Sequence, residues 1–250
     1  MSYSNLPTAI VSSPLATSPR ETYAGTVAST DPACADFVRS GIDALRATVH
    51  ARRDTDAAAA AASRAARLWR ANEARWAPNE PGVRFGFVRG MPEQVTCTCD
   101  TWRATGATLR ARYPILHLDA KGPARELAGH LDGLLSLSLA AQPQAVTDLD
   151  ALFDDPAAQR LVWLDLSYTG LGLDAIDVLV QRAPGLRYLA FEGNPEGTPT
   201  AWWVPSEIGL VPAGRTVARK PDWGAPEWLE MPAFQCEILV PALYYPYPDL

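Results

Sequence analysis

The sequence predicts an α/β fold: a short solenoid with a parallel β-sheet on its concave side and helices on its convex side. A helical cap closes its N-terminal end and an irregular cap its C-terminal end. Three observations carry this: a strand-turn-helix unit at residues 160–180, the recurrence of that unit along the chain, and the spacing of the copies.

The unit reads RLVWLDLSYTGLGLDAIDVLV. A single amphipathic helix would place apolar residues at i, i+3, i+4 and i+7, whereas Leu164 and Leu166 alternate around Asp165 as a strand requires. Residues 161–167 are therefore expected as a strand and 168–173 as a turn. Asp174 then caps a helix that buries Ile176, Leu179 and Val180.

The pattern returns as LRYLAFEGN at 186–194, LLSLSLAAQ at 134–142, YPILHLDAK at 113–121 and PEQVTC at 92–97, with Cys97 in a leucine place as a small apolar group. The central positions 95, 116, 137, 164 and 189 are 21, 21, 27 and 25 residues apart. Helical segments fill the gaps at 123–131, 147–159 and 173–183. One unit cannot bury its own apolar face, and stacking the units gives a continuous core beneath the sheet.

The pattern LxxLxLxxN, kept most fully at 161 and 186, resembles the leucine-rich-repeat family in the variety with a true convex helix. FGFVRGMPEQV at 85–95 is similar to the lead-in of bacterial leucine-rich-repeat proteins that carry a helical companion segment ahead of the array. That resemblance implies the solenoid and lends no enzymatic activity.

The flanks complete the organisation. Residues 1–30, rich in Ser, Thr and Pro and without a secretory n-region or h-region, are expected to be a disordered arm. Residues 31–90 are expected to be a helical N-terminal cap: Phe37, Val38, Ile42, Leu45 and Val49 have helical spacing, and an alanine run drives a second helix over 56–76. The array occupies 91–195. Residues 196–250, rich in Pro, Trp and Tyr, are expected to be a C-terminal cap whose aromatics cover the last repeat.

Composition narrows the function. With 48% hydrophobic residues the chain can fill a core, yet no apolar run approaches the ~20 residues of a membrane helix, so a cytoplasmic location without membrane contact is the expectation. Charge is unevenly placed: residues 36–112 hold 13 Arg against 8 acids, and residues 113–250 hold 8 bases against 18 acids. That split argues against a nucleic-acid binder and leaves an acidic surface for a basic partner.

Motifs for chemistry are missing. The histidines, His50, His117 and His130, lack zinc-ligand spacing, and Cys97-Thr-Cys99 stands without a matching pair, so no metal is expected. There is no phosphate-binding loop, no nucleophile elbow and no cofactor fingerprint. Four cysteines in 250 residues read as reduced. Cys97 and Cys99 are expected on one strand face as small buried groups. Asp148, Asp150, Asp154 and Asp155 read as a solvated convex face.

The concave face is more informative. It should present Ile115, His117 and Asp119, then Ser136, Ser138 and Ala140, then Trp163, Asp165 and Ser167, then Tyr188, Ala190 and Glu192. His117 and Asp119 read as a surface pair. Exposed aromatics in a polar rim have the composition of a protein interface. The expected function is therefore a non-enzymatic protein-binding module with partner-binding residues His117, Asp119, Ser138, Trp163, Asp165, Tyr188 and Glu192. A basic partner would suit an immunity or inhibitor protein. The alternatives are an enzyme with its site in the C-terminal segment and an exported effector addressed by the N-terminal arm. No cofactor is called for.

Overall fold

A computed structural model of the chain describes residues 6–13, 16–49, 55–142, 149–172, 179, 181–183, 186, 188–190, 193–194, 202–206 and 209–212. Alternating apolar residues build one sheet of eight strands laid side by side in chain order. These are β1 (Arg84–Val88), β2 (Met91–Thr98), β3 (His117–Lys121), β4 (Ser136–Ser138), β5 (Trp163–Asp165), β6 (Tyr188–Ala190), β7 (Trp202–Ser206) and β8 (Gly209–Pro212). Strands β2 to β6 pair in parallel, while β1, β7 and β8 pair antiparallel with their neighbours. With its helices, the fold is α/β.

Val95, Leu118, Leu137, Leu164 and Leu189 lie on one line across the parallel strands, none more than 2% exposed. Their numbering gives offsets of 23, 19, 27 and 25 residues. The sequence had put Leu116 on this line; the register places Leu118 there. A slip of two residues keeps every side chain on its face, so alternation cannot detect it. Side chains in the turns fix the register instead. Gln142 donates its amide to the Ala120 carbonyl and accepts the Gly122 N–H. Asn194 donates to the Leu166 carbonyl at 2.8 Å and accepts the N–H groups of Thr169, Gly170 and Leu171 at 3.1, 2.7 and 3.1 Å. Ala120 and Leu166 each stand two residues past the shared line, so the two amides do the same job in different turns. Four residues past that line come Gly122, Ala141, Tyr168 and Gly193, all left-handed, at φ 119°, 58°, 57° and 67°.

Ahead of the sheet, α3 (Pro32–Val49) packs along α4 (Thr55–Trp76), with Phe37 stacked on Trp76 at 5.3 Å and Trp69 against Phe87 of β1 at 4.2 Å between ring centroids. The β1–β2 hairpin turns through Arg89 and Gly90, both left-handed, as a two-residue primed turn requires. This turn touches α3 backbone to backbone: a Cβ on Gly41 would lie 2.7 Å from the Arg89 carbonyl carbon, and one on Gly90 would lie 2.5 Å from the Val38 Cα.

The expected disordered arm is corrected. Residues 1–30 contain α1 (Leu6–Ser12) and α2 (Ser18–Val27), and Ile10, Arg20 and Ala24 are fully buried. A charge anchors them, because the Arg20 Nε donates to Glu93 Oε1 at 2.6 Å. Glu93, itself fully buried, also accepts from Arg89 at 2.7 Å. Burial alone would raise the Glu93 carboxyl, but the two guanidiniums outweigh it and hold it below its ordinary value.

A helix not foreseen, α5 (Cys99–Arg112), follows β2. The Thr98 hydroxyl caps it by accepting the Thr101 N–H at 3.1 Å, and it buries Cys99, Trp102, Gly106 and Leu109. Cys97 and Cys99 therefore do not share a strand face: the first lies in β2, one residue before its end, and the second opens α5. The helix expected at 123–131 is a 3₁₀ turn, Ala124–Leu127, and where one was expected at 147–159 the chain forms α6 (Leu149–Phe153) and then a second 3₁₀ turn, Ala158–Arg160. Asp174 and most of the helix expected after it lie outside the described residues. Within the expected C-terminal cap, β7 and β8 form a hairpin that extends the sheet, and the rest of residues 196–250 lies outside the described residues. No helix among the described residues is long and apolar enough to cross a membrane.

Candidate functional site

Because the leucines take one side of the sheet, the residues beside them take the other. Two lines cross that second face: His117, Ser136, Trp163 and Tyr188, and next to it Asp119, Ser138, Asp165 and Ala190. Six of the seven expected partner-binding positions thus share one face. Glu192 lies outside the described residues, and Tyr188 is placed by its backbone on β6.

The first three members of the first line, His117, Ser136 and Trp163, are buried. His117 Nδ1 and Ser136 Oγ share a hydrogen bond of 2.7 Å, and both residues are buried. Burial pushes the His117 pKa from 6.5 down to about 4, with Arg89 and Arg20 adding to the effect and Glu93 opposing it, so the ring is neutral at pH 7. The expected surface pair of His117 with Asp119 is therefore corrected: the imidazole binds the neighbouring strand instead. A serine beside a neutral histidine has the form of a nucleophile and its base, but Ser136 is 3% exposed and offers no approach to a substrate. The couple ties β3 to β4. Trp163 is also buried, at 9% exposure, where an exposed aromatic was expected, and its Nε1 has no hydrogen-bond partner among the described residues.

The second line is half-open. Asp119, Ser138 and Asp165 are each partly exposed. Asp165 accepts the Ser167 N–H at 2.9 Å and the Ser138 hydroxyl at 3.4 Å. Burial raises the Asp119 carboxyl above its ordinary value and Asp165 adds to this, while a hydrogen bond from Thr96 and the charges of Lys121 and Arg84 pull the other way. The two carboxylates stand on one line with one strand between them, about 10 Å apart, and Asp119 has the charges of Lys121 and Arg84 beside it as well as that of Asp165.

Thr96, Arg84 and Lys121 were not singled out from the sequence, and Ser136 was expected on the concave face without a role. Their positions follow from register, so the signal was available only once Leu118 was placed on the shared line. Elsewhere, burial pushes the thiols up to about 11 for Cys34, 12 for Cys97 and 11 for Cys99, and they stay protonated at neutral pH. Among the described residues no group of three or more His, Cys, Asp or Glu side chains could hold a metal ion. Of the convex carboxylates, Asp150 and Asp154 bind Arg182, the former at 2.6 Å, and Asp148 lies outside the described residues.

Comparison with family models, with curated proteins and with solved structures found no match to this chain.

Proposed function

We propose that the chain is a short leucine-rich-repeat solenoid that acts as a non-enzymatic protein-binding module and receives a basic partner on its concave face. Support for the solenoid comes from the chain-order parallel strands, the left-handed residue four places past each line leucine from β3 to β6, and the equivalent amides of Gln142 and Asn194. The observation that carries the function is the Asp119–Ser138–Asp165 line, half-open and beside Trp163. Partly desolvated carboxylates attract a cation more strongly than fully solvated ones, because less water screens the interaction. The net balance of 8 bases against 18 acids over residues 113–250 acts in the same direction at longer range.

The test is affinity capture of the tagged full chain from its native lysate, beside an Asp119→Lys/Asp165→Lys variant and a Trp163→Ala/Tyr188→Ala variant, read by mass spectrometry. The expected outcome is a basic protein held by the wild type, released as salt rises, and lost from both variants while their circular dichroism is unchanged. A partner that the folded charge-reversed variant retains, with no dependence on salt, overturns the proposal.

A further inference from the structure

We propose that Tyr168 and Asp165 together form an anchor point of the binding surface, and that the group they hold is an arginine side chain of the basic partner. This rests on reading the chain as a binding module for a basic protein, and adds where one side chain of that protein is held and by what chemistry.

Tyr168 stands apart in two ways. Among the described residues it is the one large hydrophobic side chain that is exposed, at 54%. It also occupies the left-handed place four residues past Leu164, at φ 57°, where the corresponding turns carry Gly122, Ala141 and Gly193. A bulky side chain is disfavoured in that backbone conformation, and a ring left half in water recovers little by burial. Residues held against such a preference cluster where ligands bind.

The next turn makes room for the ring. A Cβ on Gly193 would run into Cδ1 and Cε1 of Tyr168, so glycine alone fits beneath it. The two turns are also tied together, because the buried Asn194 accepts the N–H groups of Thr169, Gly170 and Leu171. Tyr168 and Gly193 each directly precede a member of that network. The ring is therefore set in place before a partner arrives, which lowers the ordering cost of binding.

Asp165 supplies the charge. Its oxygens accept the Ser167 N–H at 2.9 Å and the Ser138 hydroxyl at 3.4 Å, and among the described residues no basic side chain pairs with it. Asp119, on the same line, has Lys121 and Arg84 beside it. Asp165 and Tyr168 are three residues apart, so their Cα atoms lie within about 11 Å, a span that one long side chain can bridge. An aromatic ring alone would suit a proline, a sugar or a cation, and the half-open carboxylate beside it selects the cation. Arginine fits better than lysine, because its planar guanidinium stacks on a ring while its N–H groups bond a carboxylate.

Titration of the full chain, followed by NMR of its backbone amides and isotope-labelled tyrosine rings, tests this. The probe is a blocked Gly-Arg-Gly tripeptide, run beside the same peptide with citrulline, the uncharged isostere of arginine. The ring signal of Tyr168 is the one missing from Tyr168→Asn. The arginine peptide should shift that signal and the amides of Ser167 to Gly170, with the citrulline peptide at least about fivefold weaker. Asp165→Asn, whose amide oxygen can still accept the Ser167 N–H, should weaken the arginine peptide about fivefold. Tyr168→Phe should bind as the wild type does, and Tyr168→Leu, read on the amides, about threefold more weakly. Equal binding of the citrulline peptide, or unchanged affinity in folded Tyr168→Leu or Asp165→Asn, overturns the proposal. Shifts confined to Asp119 and Ser138 remove the anchor and leave the acidic face as the binding surface. No shift at any residue also overturns the anchor, and capture from the lysate then decides the wider reading by itself.

Discussion

Acidification should weaken the fold through His117 in a calculable way. The imidazole is buried against Ser136, with Glu93, Arg89 and Arg20 as the charges around it, and its pKa falls from 6.5 to about 4. A depressed pKa means that the unfolded chain binds the proton first. The stability from keeping His117 neutral is complete above pH 6.5 and is lost as pH falls toward 4. At 1.36 kcal/mol per tenfold change, and allowing for half-protonation of the folded form at pH 4, the loss is about 3 kcal/mol by pH 4. That is a large share of the roughly 5–15 kcal/mol that holds a typical domain together. The comparison is His117→Asn, whose amide can still meet the Ser136 hydroxyl and does not titrate. Glu93 also loses stability as pH falls below 4.5, but it does so in both proteins and cancels in the difference. Urea unfolding of the two proteins from pH 7.5 to pH 4 gives the test, and the variant should gain about 3 kcal/mol relative to the wild type across that window. Parallel curves would refute the burial argument for His117.

Three further outcomes follow from the same geometry. Glu93→Ala leaves the Arg20 and Arg89 guanidiniums buried without their carboxylate and should cost about 3–5 kcal/mol in urea unfolding, well above Arg20→Met, which removes one charge and keeps the Arg89 pair. Asn194→Ala strands the N–H groups of Thr169, Gly170 and Leu171 together with the Leu166 carbonyl; a loss of about 3 kcal/mol is expected, and an unchanged melting temperature would show that water replaces the amide. With Cys236→Ser in place, iodoacetamide at pH 8 should leave Cys34, Cys97 and Cys99 unmodified in the folded protein and label all three in urea, because burial keeps the thiols protonated.

Where the sequence was legible, leucines stood at every place that alternation needs. The lines through Leu137, Leu164 and Leu189, and the face shared by Ser138, Asp165 and Tyr188, came directly from that spacing. The copy around Leu116 and Leu118 was misaligned by two because both leucines fit a period of two. What decides between them is the Gln142 amide reaching back to Ala120, a contact with no hydrophobic signature. Helix α5 was missed because its buried face is one tryptophan, one glycine, one cysteine and one leucine among arginines and threonines. The N-terminal helices were hidden for a different reason. Their anchor is an ion pair between residues 73 apart, and a lone arginine in a Ser-rich stretch gives no warning that it will be buried. The half-open Asp119–Ser138–Asp165 line was visible as composition, but the closure of Trp163 and His117 was not, since burial of that face depends on what lies over it.

Both margins of the sheet reverse direction, β1 against β2 on one side and β7 against β6 on the other. A stack of like units has no inherent stopping point, because each strand offers the next one the same edge. Here both outermost parallel strands have that edge filled by a neighbour running the opposite way, so another unit cannot be added at either side unless β1 or β7 is first peeled off. The parallel part of the sheet is therefore held at five strands, spanning about 19 Å, by a reversed neighbour on each side.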